Sequence, residues 1–273
     1  MKRNAKSYTI EELMATVVSR EMRGSRNGFI GTGTGGRTYT LAVGIPLAGM
    51  SLARLTHNPD LAVLFSYKVN PVIEEMPSPD SLTSPHELMN WRCEANMAYD
   101  TIFLMAMRSE IDVGFGSAAQ IDKFGNANIV AIGNYQKPKV RLIGPIFQTE
   151  HFALFNREIL LIDHDKRNFV EKVDFISGVG YLEGGDSRRK AGLKRGGPDK
   201  IITNLAVLGF DEKTRRVKVL SLHPGVAVSE VQKNTGFELV IPPNVPQTEP
   251  PTVEEVELLR TKIDPRRIML GPS

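Results

Sequence analysis

"GFIGTGTGGRTYTLAVGIPLAG", residues 28–49, is the stretch on which the fold turns. Gly31, Gly33 and Gly36 satisfy the spacing G-x-G-x-x-G. That spacing cradles a dinucleotide only where it follows a buried strand and opens a helix, so that N–H groups at the helix start meet a pyrophosphate. Upstream, residues 23–28 read as loop, and only Phe29 and Ile30 are apolar before the glycines. Downstream, "RTYTLAVG" (37–44) is rich in β-branched and aromatic residues and predicts a strand. The glycines therefore read as a flexible loop. The ligand-facing turn is expected further on, at Gly44-Ile45-Pro46. There "TYTLAV" ends and "PLAGMSLARLT" begins a helix with Pro46 in its first turn.

Strand-like and helix-like segments alternate along the rest of the chain. Thr9 caps an opening helix, with Glu12 three residues on and apolar residues at helical spacing behind it. "LAVLF" (61–65) is a buried strand, followed by a long proline-rich loop over 70–85 and a helix over roughly 87–108. "IDVGFGS", "KVRLIG", "EILLID" and "KVDFISG" read as strands, as do "IITNLAVLGFD", "RVKVLSLHPG" and "ELVIP"; "TVEEVELLRTKI" closes the chain as a helix. Residues 178–200 are glycine-rich and basic and are expected to be a mobile surface loop. The expectation is an α/β chain with a mixed, largely parallel open sheet flanked by helices, as one domain over 1–273.

Composition narrows the function. Of 273 residues, 41% are hydrophobic and 24% charged, with a net charge of +3, a balance that fits a globular chain and gives no footprint for nucleic acid. Cys93 is the only cysteine, so no disulfide framework or thiolate-rich zinc site can form within the chain. The start "MKRNAKSYTIEEL" lacks the apolar core of a signal peptide, and no run approaches the ~20 apolar residues of a membrane span. A cytoplasmic location with no membrane contact is expected.

Ligands of such sheets bind beyond the carboxyl ends of strands. Three places qualify: Gly44-Ile45-Pro46; Ser66-Tyr67-Lys68 after "LAVLF"; and Ser117-Ala118-Ala119-Gln120 after "IDVGFG". The last runs into a turn holding Asp122, Gly125 and Asn126, whose small residues would let a ligand approach the backbone. Tight turns packed for stability read equally well there. The histidines show no metal spacing; His223, ending a strand in "SLHPG", is the most site-like. No G-x-S-x-G elbow is present. Glu74 and Glu75 could present a base from the proline-rich loop, and Arg188, Arg189, Lys190, Lys194 and Arg195 could meet phosphates, although solvated faces are the commoner use of both.

"GSAAQIDKFGNANIVAIGNY" (116–135) resembles the G-G-A-Q-x-D-x-x-G-N-x-N stretch of glutaconate CoA-transferase β subunits, matching at Gln120, Asp122, Gly125, Asn126 and Asn128. "IPLAGMSLARLTHNPDL", "GFDEKTRRVKVLSLHPGVAVSEVQKNTGFEL" and Ile263-Asp264-Pro265 are similar to further blocks of that family. The resemblance implies the class I CoA-transferase fold and an α-type partner subunit, in a heterodimer or heterotetramer. It also implies an acyl-CoA substrate bound in a pocket to which the β subunit contributes, with coenzyme A entering as part of the substrate and no covalently bound cofactor. It places "YTLAVG" on the family's strand before L-P, which makes residues 24–34 an insertion.

The departures from that family carry as much information. Its catalytic motif is V-E-S-G, whose glutamate becomes a glutamyl thioester; aligned on it, Ser66 stands at the glutamate, Tyr67 at the serine and Lys68 at the glycine. Serine cannot form that intermediate, and no acidic residue lies between Leu61 and Pro71. The chain thus resembles the branch lacking the glutamate, which includes a CoA-ester decarboxylase and the steroid ring-opening CoA-ester hydrolase; "SGVGY", "ITNLAVLGFD" and "SLHPGV" are similar to the latter's β subunit. In that hydrolase a carboxylate of the α subunit is implicated in catalysis, which implies that the base need not come from this chain. The implied activity is hydrolytic C–C cleavage in a CoA thioester. CoA transfer, decarboxylation and a non-catalytic CoA-binding or assembly role are the alternatives.

Overall fold

Thr9 opens α1 (Ile10–Glu21) as the sequence predicts: its hydroxyl accepts the Glu12 N–H, and the Glu12 carboxylate accepts the Thr9 N–H at 2.9 Å. The computed structural model describes residues 3–32, 35–78 and 85–271; Gly33 of the glycine loop lies outside them. Behind α1 comes β1 (Asn27–Ile30), buried along its whole length. It runs parallel to β2 (Ala62–Phe65) on one side and β5 (Val113–Gly116) on the other.

This strand overturns the reading of residues 24–34 as an insertion, because it lies inside them and between two parallel neighbours. Gly28 explains why it went unseen. A Cβ there would stand 2.4 Å from Met50 Sδ, so the strand has glycine where a helix side chain needs the space.

Beyond the glycine loop, α2 (Gly36–Tyr39) passes through a single π turn, Thr40–Gly44, into α3 (Ile45–Thr56). The expected strand "TYTLAV" is therefore helical. Tyr39, Leu41 and Val43 are buried, and tertiary burial overrides their β-propensity. It follows that the glycines do stand between a buried strand and a helix, the context judged missing from the sequence.

β3 (Lys68–Pro71) folds back antiparallel on β2. The helix expected over 87–108 is instead α4 (Pro85–Asn90), β4 (Cys93–Asn96) and α5 (Tyr99–Met107), because β4 pairs with β3. The chain divides into two compact units, Met1–Gly116 with Pro250–Ser273, and Ser117–Glu249.

The second unit carries two small hairpins, β6 (Gln120–Ile121) with β7 (Ala127–Asn128), and β8 (Ala131–Ile132) with β9 (Val140–Arg141). After α6 (Gln148–Leu154), β10 (Arg157–Leu161) lies parallel to β11 (Pro198–Ile202). β12 (Ala206–Phe210) and β13 (Val217–Leu222) continue antiparallel, and α8 (Val228–Lys233) follows. Ile121, Phe152, Leu160, Phe169, Leu208 and Val219 belong to its core.

Residues 178–200 are pinned rather than mobile. They contain α7 (Ser187–Lys190), whose Arg188 is buried and donates to the carbonyl oxygens of Phe152, Val179, Gly180 and Arg195. "ELVIP" contributes only a bridge, Lys218 to Val240. α9 (Val253–Leu258) opens on a second capping box, Thr252 with Glu255, and returns the chain to the first unit. Among the described residues no helix is long and apolar enough to cross a membrane.

Candidate active site

Two residues, Ser66 and Tyr67, turn the chain from β2 into β3, with Phe65 and Lys68 paired across the hairpin. Such a turn demands positive φ at its first central residue, which is why glycine dominates there. Ser66 holds φ +52° without being glycine. Its N–H donates to Ile30 O at 2.8 Å, which fastens the turn to the end of β1. Turn and glycine loop thus leave the same carboxyl edge of a parallel pair side by side. A non-glycine residue in this backbone region is strained, and such strain concentrates at functional positions.

Tyr67 is half-buried; its carbonyl accepts the Met97 N–H at 2.6 Å, and burial pushes its phenol above the ordinary range. Lys68 is fully buried. Its Nζ donates to Met89 O (3.2 Å), Asn96 Oδ1 (3.0 Å) and, more weakly, Cys93 Sγ (3.8 Å). The nearest acid on β4, Glu94, is occupied by Asn70 Nδ2 at 2.7 Å and Arg54 at 3.4 Å. Glu75 pairs with Arg92, away from the turn.

The second predicted stretch lies in the other unit and is mostly self-satisfied. Gln120 donates to Asp174 Oδ2 (2.9 Å) and accepts from Asn128 Nδ2 (2.7 Å) and the Asp174 N–H (3.0 Å). Asp122 accepts the N–H groups of Phe124 and Asn126 and the Asn126 amide. Burial nonetheless raises its carboxyl above the ordinary range. Asn126 donates to Leu182 O and accepts from Gly180 and Leu182. Gly125 sits at φ +70°, and a Cβ would meet the Phe210 ring at 2.6 Å. These four residues build a rigid turn and do not present free polar groups. Ala119 spends its N–H on Asn128 O, and Ser117 O accepts from Gln148 Nε2 at 2.7 Å, so the N–H groups of Ser117 and Ala118 are what remains of the proposed contact.

Gly44, Ile45 and Pro46 are buried inside the helix and form no turn. A Cβ on Gly44 would lie 2.0 Å from Met269 O, so this glycine serves close packing on the C-terminal segment. His223 is also structural: it is buried between Thr248 Oγ1 and Thr203 O, and burial lowers its pKa.

The coenzyme A transferase family model matches residues 36–234. The chain belongs to the coenzyme A transferase family. Within that family it is similar to the β subunit of the 3-oxoadipate CoA-transferase of Pseudomonas knackmussii, at 34% identity over 93% of each chain. It is also similar to the cholesterol ring-cleaving hydrolase IpdB subunit of Mycobacterium tuberculosis, at 30% identity over 81% of this chain and 84% of that one. The crystal structure of glutaconate coenzyme A-transferase from Acidaminococcus fermentans superposes with a TM-score of 0.84 at 27% identity, covering 98% of this chain and 99% of that one. The resemblance of the β-type blocks is borne out, and the fold is the mixed open α/β sheet of the CoA-transferases. Two features of this family member escaped the sequence reading. One is the adjacency of the glycine loop and the Ser66 turn, hidden by the short β1. The other is the burial of Lys68, which alternation along "FSYKV" does not reveal.

Proposed function

We propose that this chain is the β subunit of a heteromeric acyl-CoA enzyme that cleaves a C–C bond hydrolytically in a β-keto or ring-derived CoA thioester, without a glutamyl-CoA intermediate. The observation that carries this reading is the turn itself. Leu61 to Pro71 contains no carboxylate, and the resemblance puts Ser66 where the transferases carry their nucleophile. The ring-cleaving hydrolase subunit among the relatives supports the same reaction class.

The chemistry needs little from this chain beyond binding and charge stabilisation. Water, deprotonated by a carboxylate of the α-type partner, adds to the β-ketone. The C–C bond then breaks with its electron pair passing to the thioester enolate, and a proton returns to the α-carbon. The new ends are a carboxylate and a CoA thioester. Ser66 Oγ in the first unit is assigned as a hydrogen-bond donor to the acyl-CoA.

The 34% relative named as a transferase favours a second reading, CoA transfer with its nucleophile elsewhere. Acceptor dependence separates the two. The chain is co-expressed with its α-type partner and assayed on β-keto CoA esters with and without a carboxylic acid acceptor. Turnover without acceptor supports hydrolysis; turnover only with acceptor, with CoA appearing on it, overturns it.

A further inference from the structure

Lys68 has no place in the reaction as described, yet among the described residues it is the one buried lysine, and it stands two residues from Ser66. Removing an ammonium from water is costly unless an opposite charge or a full set of acceptors compensates. Here the acceptors are a carbonyl oxygen, an amide oxygen and a sulfur, none formally charged. Three partners around one nitrogen match the three donors of a lysine ammonium. Cys93 Sγ in turn lies 3.2 Å from Ala95 O and 3.4 Å from Asn96 Oδ1. The Tyr67 ring stands 5.7 Å from Nζ, and burial keeps its phenol neutral. Among the described residues no carboxylate pairs with Lys68, and Glu94 is turned to Asn70 and Arg54. The lysine stands behind a strained turn at the carboxyl edge of the sheet with a carbonyl oxygen, an amide oxygen and a sulfur as its partners.

We propose that Lys68 is a fixed cation whose field stabilises negative charge arriving at the Ser66–Tyr67 turn, and that the anion it serves is the enolate of a β-keto thioester. It acts across the turn without touching the substrate. Its geometry is pre-set by Met89 O and Asn96 Oδ1, so no reorganisation is needed when the charge develops. The placement rests on the reading of this turn as the acyl site, but not on whether the outcome is hydrolysis or transfer.

The test uses acetoacetyl-CoA bound to the assembled heteromer. Its enolate is followed by ultraviolet absorbance as pH is raised, the α-proton passing to buffer. The wild-type complex is expected to acidify the bound probe relative to free solution. Lys68→Met is expected to weaken enolate binding by about tenfold, the order expected of a unit charge several ångströms away at intermediate dielectric. Its melting temperature should hold or rise, because an apolar isostere replaces an uncompensated charge. Lys68→Arg keeps the acidification. If Lys68→Met does not assemble, Lys68→Gln supplies the uncharged comparison. No acidification in the wild type, or equal acidification without the charge, overturns the proposal. Strict acceptor dependence with acidification intact would remove the hydrolytic reading and leave this one standing.

Discussion

At the scale of single residues, Ser66 and Glu158 make opposite kinds of demand on the chain. Ser66 occupies left-handed backbone at φ +52°, a conformation that costs a non-glycine residue about 1–2 kcal/mol. Ser66→Gly should therefore keep or improve stability, while Ser66→Ala keeps the strain. If the hydroxyl holds a substrate oxygen, both should lower kcat of the assembled complex by about 3- to 10-fold, the worth of one hydrogen bond. Unchanged kcat in both variants removes the hydroxyl from the mechanism. Glu158 is wholly buried on β10, with His151 Nδ1 3.4 Å away, and burial raises its carboxyl pKa. A raised folded pKa makes the ionised form unfavourable in the native state. The stability it contributes is present below the unfolded carboxyl value and is lost as pH rises through the folded one. Glu158→Gln should flatten that loss and raise Tm at neutral pH by about 2–4 °C, measured as Tm against pH. A lower Tm across the whole range would contradict it.

The elements that were legible in the sequence share a property: their signal is local. The capping box of α1, the strand β2 in "LAVLF" and β5 in "IDVGFGS" formed as read, and "RVKVLSLHPG" holds β13, while "IITNLAVLGFD" divides between the end of β11 and β12. Two of the failures lie beside one helix. "TYTLAV" carries strand propensity, but Gly49 of α3 packs so closely on α1 that a Cβ would stand 2.6 Å from Ala15 O. That contact fixes α3, and the residues before it extend its helix through a π turn. β1 was hidden because close packing had reduced it to two apolar residues and a glycine. The same geometry makes a prediction for glycine roles. Gly44→Ala should cost about 2–3 kcal/mol in a urea melt, since the clash is with the Met269 carbonyl and not with a movable side-chain end. Gly31→Ala, with open space around its Cβ, should stay within about 0.5 kcal/mol. Equal costs would mean that the helix can slide away from the C-terminal segment. In the second unit, Gln120, Asp122 and Asn126 stand out by resemblance; sequence does not show the hydrogen bonds that tie them to Asp174, Asn128 and Leu182.

For the molecule as a whole, family membership and reaction are separate matters. The family is carried by blocks spread along the chain and by a superposition covering 98% of it. The reaction rests on one turn, where the strand end offers Ser66, Tyr67 and a buried cation instead of a carboxylate. The assembled complex is expected to need water and no acceptor. The direct measurement is turnover of a β-keto CoA ester in ¹⁸O-labelled water without added carboxylic acid, with products analysed by mass spectrometry. One labelled oxygen in the newly formed carboxylate, with CoA still esterified to the other fragment, is the predicted result. No product until an acceptor acid is added, followed by CoA on that acid and no label in a new carboxylate, would contradict it.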